Sequence, residues 1–371
     1  MSGHAADGDR GFDEVTYERA SRLHRLLRAL HEDERTSERL ALHGGAAINE
    51  FILDVPRLST DVDLSMLSES EGMDVVGREK ERTLELVREV ASASGFKPSY
   101  GKAGVAGRTV RLTYEGGAVK ADVNFMNRVT PFEPVEMTSR LDGTVSFPVL
   151  APYDAFGGKL RAALARTKAR DLFDLRSIAE VAKGLDPGLF HGSMLLSASL
   201  SEPFPHAFRE SFSDGLEGRF KNLQEDIDVN LAPMLREGVD MPSAGELIES
   251  AKGFIIEWVD PRNDEERSYL ANMARGTFLP ELILPDDVAE RARRFPEALW
   301  KVRNLRRYVE LPPEEGVTHP LWERRVNVEG TGVDEIGVEG RSEAPREHRD
   351  TSGIGNGREP GNGCDRRTRL P

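Results

Sequence analysis

The chain of 371 residues holds one cysteine, Cys364, in a glycine-rich stretch. One thiol has no intrachain partner, so a disulfide framework and a thiolate metal site are both excluded. Long apolar runs are missing as well. No stretch of about 18 apolar residues occurs, which excludes a membrane-spanning helix. The opening MSGHAADGDRGFDE is polar and acidic and lacks the charged start and apolar core of a secretory leader, so the expected location is the cytoplasm. Basic excess is absent too. A net charge of −14 excludes a protein that coats nucleic acid through a uniformly positive surface, because neutralising phosphates needs cations. A local basic patch and a carboxylate-rich metal site both remain compatible with it.

What is present suits a folded protein large enough for two domains, with 38% hydrophobic and 31% charged residues. Residues 14–32 carry apolar positions at helical spacing. ERLALHGGAAINEFIL reads as a short strand, a Gly-Gly break and a helical stretch beginning near Ala46. LSTDVDLSML alternates as a strand does. GREKERTLELVREVASASGF is an amphipathic helix that Gly95 ends, and TVRLTYEGGAVKADVNFM is a β-hairpin turning at Glu115-Gly116-Gly117. Residues 1–150 therefore form an α+β domain around one small mixed sheet.

From about residue 152 the pattern turns helical. The stretch from Ala151 to Leu185 is broken near Thr167, with Asp171 placed to cap its second half. Further helices are expected around 208–237, 243–258, 263–275 and 286–308, and the all-α half runs to residue 312. Past Trp322 periodicity is lost, and nine glycines fall between 330 and 363. Residues 313–371 read as a disordered tail.

Side chains two apart on a strand share a face, so Asp61 and Asp63 project together while Val62 and Leu64 point to the core. In VKADVNF the same alternation puts Asp122 on the polar face. If the two strands are neighbours, three carboxylates converge and repel until a hard cation such as magnesium binds them. Two such ions about 3.5–4 Å apart orient an attacking hydroxyl and stabilise leaving pyrophosphate. The bland alternative is a solvated strand face, a stronger competitor for Asp122 than for the other two. Gly44 and Gly45 stand between strand and helix, where the lack of Cβ atoms lets backbone N–H groups approach a phosphate.

LHGGAAINEFILDVPRLSTDVDLSM resembles the first motif of the nucleotidyltransferase AbiEii/AbiGii toxin family, in which a Gly-Gly or Gly-Ser turn, a helix and an Arg-x-Ser-x-Asp-x-Asp strand follow in order. Arg57, Ser59, Asp61 and Asp63 fill those places. KLRAALARTKARDLFDL is similar to that family's Lys and Arg-Asp-x-x-Asp region through Lys159, Arg170, Asp171 and Asp174. The likeness spans roughly residues 14–310. It implies a polymerase-β-like nucleotidyltransferase fold, NTP and magnesium as reactants, and a toxin, partnered by an antitoxin, that blocks growth during phage attack. Members of the family are similar to enzymes that add nucleotides to tRNA acceptor ends, which makes tRNA the expected acceptor. Ala46 departs from the hydroxyl residue that commonly follows the glycines, implying a weaker grip on the triphosphate.

On that resemblance the expected catalytic set is Asp61, Asp63, Asp122, Lys159 and Asp174, with metal on the first three. Nucleotide contacts are expected from Gly44, Gly45, Arg57, Ser59, Lys159 and Arg170. On a continuous helix Lys159, Ala163, Arg166, Arg170 and Asp174 form one stripe beside the triphosphate, with Asp174 orienting Lys159 or Arg170 by ion pairing. The segment RARRFPEALWKVRNLRRY offers Arg291, Arg293, Arg294, Lys301, Arg303, Arg306 and Arg307 to RNA phosphates; a helix paired with neighbouring acids is the competing reading. Two other functions stay open: a small-molecule nucleotidyltransferase of the aminoglycoside-modifying kind, and a non-catalytic module that binds a protein partner.

Overall fold

The structure, a computed structural model, describes residues 11–310 apart from 71–72, 104–106, 167, 215 and 221. The expected tail, 313–371, lies outside the described residues. Helix α1 (Glu14–Glu32) starts where the Asp13 carboxylate accepts the Thr16 N–H, and it buries Leu23, Leu26, Leu27 and Leu30. Strand β1 (Leu40–His43) runs into α2 (Gly44–Ala46), which continues as a wider π turn, Ala47–Ile52. The helix thus opens at Gly44 itself. After β2 (Asp61–Met66) come α3 (Met73–Ala93), β3 (Lys97–Ala103), β4 (Gly107–Tyr114), β5 (Gly117–Asn124), β6 (Val135–Thr138) and β7 (Ser146–Val149).

These strands form one mixed seven-stranded sheet in the order β3-β4-β5-β2-β1-β7-β6. β2 pairs parallel with β5 and β1 parallel with β7, and the remaining pairs are antiparallel. Alternation sorts the faces as expected: Val62, Leu64, Val110, Leu112, Val119, Ala121 and Val123 are buried, while Arg111 and Lys120 are exposed. The architecture is α+β.

The helical half contains α4 (Pro152–Arg166), α5 (Ala169–Ala182), α6 (Pro187–Leu200), α7 (Leu223–Asp226), α8 (Ala244–Trp258), α9 (Asp264–Ala274), α10 (Asp286–Ala292) and α11 (Pro296–Glu310). Helix α8 carries a reciprocal cap in which Ser243 and Glu246 satisfy each other's backbone N–H groups. Two expectations need correction. The long helix around 208–237 is a run of short pieces, because Asn222 sits in the left-handed region at φ 57° and Pro233 opens a separate 3₁₀ turn. The helix around 286–308 is two helices, since Pro296 begins α11, where its missing N–H costs no hydrogen bond. One apolar cluster runs from Leu23 through the sheet and helices to Leu305.

Candidate active site

Register assembles the carboxylates. Across the parallel β2–β5 pair Asp61 faces Lys120 and Asp63 faces Asp122, so Asp63 and Asp122 stand abreast on the face away from the core. All three aspartates line one cleft of about 890 Å³ together with Gly44, Gly45, Lys159 and Arg170. Thr109 donates its hydroxyl to Asp122, and Lys120 stands 3.8 Å from Asp61. Burial pushes the Asp61 carboxyl above its ordinary range, and Asp63 and Asp122 add to the rise against the pull of Lys120 and Arg170. As placed, no three His, Cys, Asp or Glu side chains among the described residues draw into a closed metal cluster.

Gly44 explains how Asp63 reaches its position. Its backbone is left-handed at φ +73°, and a Cβ there would fall 1.9 Å from Asp63 Oδ2, so the carboxylate occupies the space a side chain would fill. At Gly45 an added Cβ would sit 3.2 Å from both the Arg57 guanidinium and the Ser59 hydroxyl. His43, the last residue of β1, lines the same cleft, and its Nε2 is buried without a partner. Burial lowers its pKa, Asp63 opposes that, and Arg161 reinforces it.

The other residues expected to grip nucleotide are largely engaged with one another. Arg57, 2% exposed, forks onto Asp174 through Nε (2.8 Å) and Nη2 (2.6 Å) and donates Nη1 to the Leu58 carbonyl. Lys159 bridges Asp171 at 3.0 Å and Asp174 at 2.8 Å. Arg166 completes the chain on Asp171, and Asn49 donates to Asp174 at 3.1 Å. Asp174 is fully buried, and despite burial Arg57 and Lys159 hold its carboxyl far below the usual range. Ser59 gives its hydroxyl to the Asp61 carbonyl and its N–H to Glu50, bracing the start of β2. Arg170 is half-buried on the cleft wall with its guanidinium near the Met234 sulfur at 3.9 Å.

The single stripe from Lys159 to Asp174 is not one helix. α4 ends at Arg166 and α5 starts at Ala169, and folding back brings Lys159, Arg166, Asp171 and Asp174 together. Asp171 is not the N-cap. Lys168 holds that position without a side-chain bond, and Asp226, on α7, accepts the Ala169 N–H at 2.7 Å. Asp174 meets Lys159 and Arg57 and not Arg170.

The basic run near the C-terminus resolves mainly into internal pairs. Arg291 donates to the Thr130 carbonyl and pairs with Glu69 and Glu133; Arg293 meets Glu281; Arg294 meets Glu69; Arg306 donates to the Gly276 carbonyl. Lys301 donates to the carbonyls of Ser201 (2.7 Å) and Phe204 (2.5 Å), and burial pushes its pKa down to about 8. Arg303 and Arg307 are exposed. The expected phosphate-binding helix is thus a paired surface for most of its length.

Two features of the cleft were not foreseen. Glu297, Trp300, Lys301 and Asn304 line it together, a spacing of 3, 4 and 7 that puts them on one face of α11. Trp300 is 50% exposed there. The other feature is Asp154 in the first turn of α4, which accepts the Phe132 N–H at 3.1 Å and whose carboxyl burial pushes up to about 7. The helical spacing on α11 was readable, but the sequence did not say which face of that helix meets the cleft.

A model of the AbiEii nucleotidyl transferase toxin of type IV toxin–antitoxin systems matches residues 25–250. No curated protein matches the chain. Among solved structures it is similar to MenT4, a nucleotidyltransferase toxin from Mycobacterium tuberculosis, at 19% identity over 80% of this chain and 94% of that one, with a TM-score of 0.47. It is also similar to the Cid1 poly(U) polymerase at 14% identity, covering 78% and 88% of the two chains with a TM-score of 0.26.

Proposed function

The chain belongs to the AbiEii nucleotidyl transferase toxin family of type IV toxin–antitoxin systems, and from that membership we propose that it moves a nucleoside monophosphate from an NTP to a hydroxyl of tRNA, with pyrophosphate leaving. The observation that carries this reading is the register of Asp61, Asp63 and Asp122 beside the Gly44 turn in one cleft. The donor set fits magnesium. It consists of carboxylate oxygens, the hard ligands that magnesium prefers, gathered from Asp61, Asp63 and Asp122 in one cleft. Asp61, Asp63 and Asp122 would hold the ion, which when bound would screen the triphosphate and the developing charge on pyrophosphate.

The remaining roles belong to the chain's own side chains. Arg170 faces the triphosphate as an accessible cation, and the Gly44-Gly45 backbone lets phosphate oxygens approach closely. Lys159, Arg57 and Asp174 keep the loop before β2 locked onto α4 and α5, which fixes Asp61 and Asp63 in place. Trp300 offers a half-exposed ring on which the nucleotide base stacks. Asp122 takes the proton of the attacking hydroxyl. In this division residues 1–150 supply the carboxylates and the Gly44-Gly45 turn, and residues 151–312 supply Arg170 and the base platform.

The cellular role we propose is growth arrest in the cytoplasm during phage attack, held off by a cognate antitoxin. The test is incubation of the purified chain with labelled NTP, magnesium and total RNA. Label in tRNA supports the reading. Label appearing instead in an added aminoglycoside would replace it with small-molecule transfer, and no label in either would leave partner binding as the function.

A further inference from the structure

We propose that the phosphodiester backbone of the acceptor lies across the open face of β3, β4 and β5, held by Arg111 and Lys120 on its way to Asp61. The inference rests on the reading of nucleic acid as acceptor. Its basis is a row of residues in register across four strands: Ser99 opposite Arg111, Arg111 opposite Lys120, Lys120 opposite Asp61. Residues opposite one another in a sheet share a face. The adjoining row on that face is Thr109, Asp122 and Asp63. The cations thus share a row with Asp61 and stand one row from Asp122 and Asp63, and both rows run into the cleft. Two strand spacings, about 10 Å, separate Arg111 from Asp61 along the sheet.

The surface is open. Ser99, Arg111, Ala118 and Lys120 are exposed, and Thr109 and Thr113 are half-buried. Around this cross-strand pair of long cations the side chains of Ser99, Thr109, Thr113 and Ala118 are short, so a sugar–phosphate backbone can lie on the sheet while guanidinium and ammonium reach its oxygens. Gly101 belongs to the same floor. A Cβ there would come 3.2 Å from the Thr109 side chain, and Thr109 is the residue that bonds Asp122.

Charge gives the second argument. In a molecule of net charge −14 an exposed arginine has many acids to pair with, as the Arg291–Arg294 cluster does. Arg111 has no carboxylate within ion-pair distance among the described residues. Among the described residues Lys120 has only Asp61, at 3.8 Å, one of the carboxylates the proposed metal would occupy. Two cations left available beside the candidate active site of an acidic protein fit an anionic ligand that arrives from outside. The acceptor needs such an anchor, because the run in α10 and α11 is mostly taken up by internal partners, Arg303 and Arg307 excepted.

The full chain tests this with bulk tRNA and labelled NTP. Arg111→Gln should raise KM for tRNA several-fold while KM for NTP holds, and the slope of log K against log salt should flatten by about one. Arg111→Glu should do more. Ser99→Lys, which adds a cation to the same row, should tighten tRNA binding and steepen the slope, an effect that misfolding cannot imitate. Arg303→Glu with Arg307→Glu on α11 should change neither quantity. Unchanged tRNA KM and slope in Arg111→Glu would overturn the proposal, as would a loss confined to the α11 variant. If the unaltered chain neither binds nor labels tRNA, the acceptor reading fails and this surface fails with it; that outcome is told apart because no substitution is needed to see it.

Discussion

Asp63 rests against Gly44 so closely that one added carbon tests the arrangement. Gly44→Ala would place a Cβ 1.9 Å from Asp63 Oδ2 in a left-handed backbone, and either the carboxylate or the turn must move. A displacement of about 1 Å at a reacting centre costs on the order of 100-fold in rate, so kcat should fall by that order while the circular dichroism spectrum is kept. Asp61→Ala and Asp63→Ala should each abolish transfer of labelled NMP and leave the fold intact, since neither side chain belongs to the apolar core. Full activity in either variant would remove the carboxylates from the chemistry.

Lys159 shows where reading residue types from sequence stops. A lysine on a helix near an Arg-Asp pair invites a role on phosphate, but its burial follows from contacts with residues 12 and 15 positions ahead, made only when α5 folds back on α4. Removing a cation from buried carboxylates costs about 3–5 kcal/mol. Lys159→Ala should therefore lower stability in denaturant titrations by that order, and NTP use should fall with it. A variant of unchanged stability with raised KM for NTP would return Lys159 to the triphosphate. Asp61, Asp63 and Asp122 were readable because strand alternation is local, whereas the carboxylate that holds Arg57 lies 117 residues away.

At the scale of elements, α1, α3, the β4–β5 hairpin, α8 and α9 were legible from periodicity and caps. β6 and β7 have four residues each, too few for alternation to stand out, and β7 contains Pro148. Helix α6 went unseen because it is buried on nearly every side, so PGLFHGSMLLSASL shows no polar stripe. A buried ion-pair chain also joins elements. His24 on α1 meets Glu50 in the π turn at 2.8 Å and Asp142 before β7 at 3.2 Å. Burial opposes its charge, but the two hydrogen-bonded carboxylates win and push His24 up to about 9 from 6.5. A pKa raised on folding adds stability that is full below the unfolded value and fades as pH climbs through the folded one. The window is pH 6.5 to 9, and the loss is on the order of 3 kcal/mol. Urea titrations at the two ends should show it, and His24→Gln should flatten it. A slope that persists in His24→Gln would assign the effect elsewhere.

For the whole molecule, the distribution of apolar burial decides what the last stretch of chain contributes. The core cluster reaches Leu305 on α11, so the helix that supplies Trp300 and Lys301 to the cleft is anchored by Ala298, Val302 and Leu305 before residue 313 is reached. Beyond Pro313 the sequence has nine glycines between 330 and 363, and a segment of that composition has little apolar surface with which to offset its ordering entropy. Truncation after Pro313 should then leave the melting temperature within about 2 °C, less than the shift from roughly 1 kcal/mol in a smaller domain. Labelled transfer to tRNA should keep the parent rate. The stretch removed ends in Arg366, Arg367 and Arg369, so the salt dependence of tRNA binding should be read on the same truncated chain. If the slope flattens there and not in Arg111→Gln, the anchoring charge lies after residue 313. A large fall in melting temperature would mean that residues past Pro313 pack on the α11 side and help hold the cleft together.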